Sequence, residues 1–110
     1  MEAGNGGTNG GRLTRDLIVE AALELIDDAG LEALSMRMLA GVLGVKASSL
    51  YHHFASKDEL LTGVAEFLYR TLGRPPEGGD WAEQLRATFV QLREFIQAHP
   101  NAAPLLVREL

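Results

Sequence analysis

Four short hydrogen-bonding residues, Thr14, Ser35, Ser56 and Asp80, each stand just before a run of apolar residues at helical spacing. Side chains of this kind accept from the free amides of a first helical turn. Two are followed three residues later by a glutamate, Glu59 and Glu83, which completes a capping box after Ser56 and repeats its acid after Asp80. Stop signals close the same runs: Gly30, Gly44, the stretch "GRPPEGG" from Gly73 to Gly79, and the pair His99-Pro100. A chain punctuated this way is committed to helices, and nothing in it alternates with the period of a strand.

The apolar residues fill in the elements. The first helix opens after Thr14, with Asp16 well placed in its first turn, and carries Leu17, Ile18, Ala21, Ala22, Leu25 and Ile26 on one stripe. A hydrophobic connector, Leu31 to Leu34, follows. The second helix spans Met36 to Leu43, with Leu39, Val42 and Leu43 expected inward and Val45 plugging the turn after Gly44. The third runs from about Lys46 to Phe54, with Leu50, Tyr51 and Phe54 on its buried side. Isolated helices shorter than roughly a dozen residues are marginal in water, so this one depends on its neighbours. The fourth reaches about Leu72 on a stripe of Leu60, Leu61, Val64, Phe67, Leu68 and Leu72. The fifth opens at Asp80 and carries Trp81, Leu85, Phe89, Leu92, Phe95 and Ile96, with Trp81 and Phe89 expected in the core. No element is assigned to Asn101 to Leu110, which holds Pro104 and an apolar "LLV". The fold class is all-α: a homeodomain-like three-helix bundle with a helix-turn-helix, followed by two longer helices. The stripes of the fourth and fifth helices are expected to face each other across the Pro/Gly loop, which leaves this chain mostly monomeric or weakly dimeric.

The bulk of the chain limits what it can be. Its 110 residues fit one domain or slightly less, and 46% hydrophobic content supports a small core. Cysteine is absent, which excludes disulfides and cysteine metal sites. No apolar run approaches the roughly 18 residues of a membrane span, and the Gly/Asn-rich "MEAGNGGTNGG" has no apolar signal core. The expectation is a soluble, cytoplasmic protein with a disordered start. The net charge of −5 argues against coating by nucleic acid, but its distribution is uneven. From Ala33 to Lys57 the only charges are Arg37, Lys46 and Lys57, so this segment is +3 and the remainder −8. A small basic segment in an acidic chain suits a directional nucleic-acid surface.

Two short helices joined by a glycine turn, behind a third, form a helix-turn-helix. The N-terminal residues of its second helix approach base edges in the major groove. Here they are Lys46, Ala47, Ser48 and Ser49: small side chains permit close approach, and hydroxyls reach phosphates or bases. Tyr51, His52 and His53 lie farther along and can span to the backbone or a base. A metal site at His52 and His53 is disfavoured, because adjacent helical residues do not converge on one ion. Catalysis is disfavoured too: Ser48 and Ser49 stand near His52 and His53 with no third orienting group or oxyanion site evident. His99 reads as a helix-end feature before a pocket residue, and Glu20, Glu24, Asp27 and Asp28 as a solvated face. The rival reading is a helical protein-interaction module without DNA binding, whose affinity would be indifferent to salt.

The segment "IVEAALELIDDAGLEALSMRMLAGVLGVKASSLYHHFASKDELL" resembles the tetracycline-repressor (TetR) family of bacterial transcription regulators from about Thr14 to Glu66. The marks are Ser-x-Arg opening the second helix, Leu-Gly-Val at the turn, Leu-Tyr-His-His-Phe, then Ser-Lys-Asp-Glu-Leu-Leu. The resemblance implies a homodimeric, ligand-responsive repressor on a palindromic operator in double-stranded DNA, with a small-molecule effector in the full-length protein; no cofactor and no metal are expected. It implies that Arg37 and Met36 lie at the DNA backbone or a base. Ala47, Ser48, Ser49, Tyr51, His52 and His53 would line the DNA surface, and Lys57 would bind phosphate. The domain boundaries that follow are a tail at 1–13, the helix-turn-helix domain at 14–57, a connecting helix at 58–72 and, at 73–110, the start of an effector-binding and dimerisation domain.

Overall fold

The computed structural model describes residues 12–73 and 77–108. The expected disordered start therefore lies outside the described residues apart from Arg12 and Leu13, as do 74–76 of the Pro/Gly loop. Six α-helices follow in order: α1 (Arg15–Ala29), α2 (Met36–Leu43), α3 (Ala47–His53), α4 (Lys57–Leu72), α5 (Trp81–Ala98) and α6 (Pro104–Arg108), with a 3-10 turn at Leu31–Ala33 between α1 and α2. No strand occurs among the described residues.

Each predicted cap forms. The Thr14 hydroxyl accepts from the amide of Leu17 at 3.1 Å, Ser35 from Met38 at 3.0 Å, Ser56 from Glu59 at 3.1 Å and the Asp80 carboxylate from Glu83 at 2.9 Å. Glu59 reaches back one residue beyond the N-cap, accepting from the amide of Ala55 at 3.2 Å rather than from that of Ser56 as the expected capping box has it. At the other end of α2, Gly44 takes φ 71° and ψ 30°, a left-handed conformation that glycine adopts without strain. The amide of Val45 then returns to the carbonyl of Ala40 at 3.0 Å, which turns the chain sharply into α3.

The core lies between α1, α2 and α4. Ile18, Val19, Ala22, Leu23 and Ile26 of α1 meet Met36, Leu39 and Ala40 of α2 and Leu60, Val64, Ala65 and Leu68 of α4, with Leu50 of α3, Leu34 and Phe54 fully enclosed. The inward face of α1 is rotated from the expected one. Leu17 is about half exposed, while Val19 and Leu23 are buried. Val19 faces α4 at Gly63, where an added Cβ would fall 2.8 Å from Phe54 and 3.5 Å from Val19. Gly63 therefore lets the Phe54 ring lie directly on the α4 backbone.

Three further expectations are corrected. Val42 is 58% exposed on the outer side of α2, because the inward face of that short helix is taken by Met36, Leu39 and Ala40, with Leu43 half-buried beside them. The apolar face of α5 is not covered by α4. Phe95 is buried and Leu92 half-buried, but Trp81 (78% exposed), Leu85, Phe89 (63%), Val90 and Ile96 face outward. Trp81 and Phe89 are thus not core, and the premise that α4 and α5 satisfy each other fails. Besides α1, α4 packs against α6, an element the sequence did not disclose. Ala102, Leu105 and Leu106 are buried there, and the Tyr69 hydroxyl donates to the carbonyl of Leu106.

The junction between α5 and the bundle is polar. His99 Nδ1 lies 2.8 Å from Asp27 Oδ2, and Asn101 Nδ2 donates to the carbonyl of Asp27 at 3.1 Å. The His99 ring also packs on Phe95 with centroids 5.0 Å apart. Asp27 is therefore half-buried in a clasp between α1 and the end of α5, not part of a solvated face as expected. Glu20, Glu24 and Asp28 are exposed.

Candidate nucleic-acid interface

α3 has only seven residues, and its N-cap residue Lys46 makes no side-chain capping bond. The helix is held from beneath. Leu50 and Phe54 are both completely buried, one turn apart, and anchor its inner side on α1, α2 and α4. The outer side then carries whatever the core rejects: Lys46, Ser48, Tyr51 and His52 are exposed, and Ala47, Ser49 and His53 half-exposed. Tyr51 was expected on the buried side. At 49% exposure it lies on the flank, its ring partly supported and its hydroxyl free to reach outward.

The remaining candidates frame this helix. Arg37, the second residue of α2, is exposed. Met36 beside it is a core residue at 6% exposure, so only its main chain is available to a partner. Lys57 is half-exposed at the first position of α4, where free amides and the positive end of the helix dipole favour an anion. Asp58 and Glu59 follow it, but both are engaged: Asp58 with Arg108 of α6, and Glu59 with the amide of Ala55. No carboxylate stands on α2 or α3.

One residue near α3 was not singled out from the sequence. Arg15, the first residue of α1, donates from Nη1 to the carbonyl of His53 at 2.8 Å, and its guanidinium lies 4.2 Å from the centroid of the Phe54 ring. Its acceptor is 38 residues away in the chain, so no local pattern discloses it.

Among the described residues, no three His, Cys, Asp or Glu side chains cluster as a metal site, and no helix is long and apolar enough to cross a membrane. The arrangement offers a short, acid-free, hydroxyl-bearing helix on a rigid bundle, with cations at both sides.

Residues 18–64, from the core of α1 through α3 into α4, match the family described as bacterial regulatory proteins, tetR family. The chain belongs to the tetR family. A relative from Saccharopolyspora erythraea, named an HTH-type transcriptional regulator, is 40% identical over 94 residues, covering 84% of this chain and 40% of its own length. The tetR-family chain therefore spans about two fifths of that curated relative. Among solved structures, BioQ with its double-stranded DNA operator superposes with a TM-score of 0.79 at 37% identity, over 88% of this chain and 58% of BioQ. The tetR-family protein ActR from Streptomyces coelicolor, in complex with actinorhodin, superposes with a TM-score of 0.76 at 42% identity, over 84% of this chain and 44% of ActR.

Proposed function

We propose that this chain is the DNA-binding half of a ligand-responsive transcriptional repressor that acts as a homodimer on a palindromic operator in the cytoplasm, with no catalytic role. The observation that carries the reading is the outer face of α3. It is polar, free of acids, and mounted by Leu50 and Phe54 on a core that leaves it little freedom. A recognition helix needs that combination, because base contacts are read at fixed distances while the surface must tolerate phosphates. In this reading Lys46, Ala47, Ser48 and Ser49 face base edges, and Tyr51, His52, His53 and Arg37 reach the flanking backbone or a base. Met36 contributes through its main chain, and Lys57 holds a phosphate at the start of α4. The likeness to BioQ, which was solved on its operator, supports the same docking.

The effector side is carried by α5. Trp81, Leu85, Phe89 and Val90, with Arg86 and Arg93, line an open groove of about 500 Å³. In a full-length member of the family we assign this face to a wall of the effector pocket or to the dimer partner, since large exposed apolar patches mark interaction surfaces. The domain boundaries follow: 14–57 for DNA, α4 as the connecting helix at 58–72, and 73–110 as the start of the effector and dimerisation part.

Selection of binding sites from a random duplex pool tests the reading. The expected result is a palindromic consensus with half-sites about 34 Å apart, one turn of DNA, selected more weakly as salt rises. No enrichment, or duplex binding that is indifferent to salt, contradicts it.

A further inference from the structure

The recognition helix is too short to hold its own shape. Phe54 donates its amide to the carbonyl of Leu50 at 2.9 Å and ends the helix, and the last-turn carbonyls beyond it need partners from elsewhere. For His53 that partner is Arg15. A cation at a helix C-terminus also meets the negative end of the helix dipole. The same guanidinium lies 4.2 Å from the centroid of the Phe54 ring, and the Cε1 and Cζ atoms of that ring lie against Gly63 of α4. Phe54 is thus held by both α4 and Arg15, and α3 is fixed at the end remote from base edges.

We propose that Arg15 is a positioning residue for α3, setting the angle at which the recognition helix is presented; the proposal rests on the DNA-binding reading above. Arg15 acts through the His53 carbonyl and the Phe54 ring, not through a phosphate. Lysine does not reproduce it, because only the planar guanidinium can donate to a carbonyl while stacking on a ring. A charge-assisted hydrogen bond and a cation–π contact each correspond to a few-fold to about tenfold in an equilibrium constant.

Two measurements on Arg15→Ala and Arg15→Lys test this. In the free protein, amide hydrogen exchange should accelerate about tenfold at Tyr51, His52, His53 and Phe54 in Arg15→Ala, and several-fold in Arg15→Lys, while the amides of α1 and α4 keep their protection. On DNA, affinity for the duplex selected by the unaltered chain should fall about tenfold for Arg15→Ala and several-fold for Arg15→Lys. Affinity for a scrambled duplex of equal length should stay within about twofold, and the salt slope should not change. Equal weakening on both duplexes, with the slope reduced by about 1 in Arg15→Ala, would make Arg15 a phosphate contact and overturn the proposal. Unchanged exchange in α3 overturns it as well. If the unaltered chain selects no duplex, it is the DNA-binding reading that fails, and the exchange result still decides whether Arg15 holds α3.

Discussion

Phe54 and Phe89 are the same side chain in opposite surroundings. Phe54 ends α3 and is completely buried, with the Arg15 guanidinium over its ring and its Cε1 and Cζ atoms against Gly63. Phe89 stands in the middle of α5 and is 63% exposed, in a row with Trp81 and Leu85. Both belong to apolar stripes that are equally regular in sequence. The difference is what lies opposite. α3 packs on α2, and its Leu50 and the following Phe54 are enclosed in the core that α1, α2 and α4 form, whereas α5 turns most of its stripe outward, with Phe95 buried, Leu92 half-buried and Gln91 donating to the carbonyl of Leu72. A stripe at helical spacing announces a face that prefers cover, and the supply of cover is a separate matter. In α1–α4 the face is satisfied within the bundle and the polar residues are left outside. In α5 the apolar residues themselves form the outer surface.

Truncations should separate the two regions cleanly, and the largest effect belongs to Phe54. Phe54→Ala should lower the stability of the chain by about 3–5 kcal/mol, seen as a large drop in thermal midpoint. A midpoint unchanged by this substitution would show that α3 is not anchored in the core. Gly63→Ala comes next. A Cβ there lies 2.8 Å from a completely buried ring, so overpacking should cost about 1–3 kcal/mol in spite of alanine's better helix propensity. A gain in stability would mean that Phe54 moves aside easily. Ser56→Ala removes the cap of α4 and should cost about 1 kcal/mol by denaturant titration. Phe89→Ala should be the smallest, within about 0.5 kcal/mol, because its ring is already in water. A cost comparable to that of Phe54→Ala would erase the contrast and require α5 to be covered.

The local features of this fold were legible in the sequence, and the remote ones were not. Thr14, Ser35, Ser56 and Asp80 act on amides three residues away, so each cap could be read from a few adjacent letters. The helix-turn-helix order and the polar character of the stretch from Lys46 to His53 followed from the same kind of reading. Tyr51 and Val42 were assigned inward because helical spacing does not say how wide the covered sector is. Asp27 was read as solvated because its partner His99 is 72 residues away. Arg15 escaped notice for the same reason. α6 was left unassigned, although proline is well suited to the first position of a helix and α6 begins at Pro104.

The central claim is that α3 and its flanking cations form a DNA-reading surface in which some residues select sequence and others grip the backbone. A fluorescence anisotropy titration against the selected and the scrambled duplex, over a series from about 50 to 200 mM salt, tests it most directly. The unaltered chain should prefer the selected duplex and lose affinity steeply as salt rises. Lys57→Ala should weaken both duplexes by a similar factor and reduce the salt slope by about 1, whereas Ser48→Ala and Ser49→Ala should erode the preference with the slope intact. Equal, salt-indifferent affinity for the two duplexes, or a change of sequence preference in Lys57→Ala, would contradict the account.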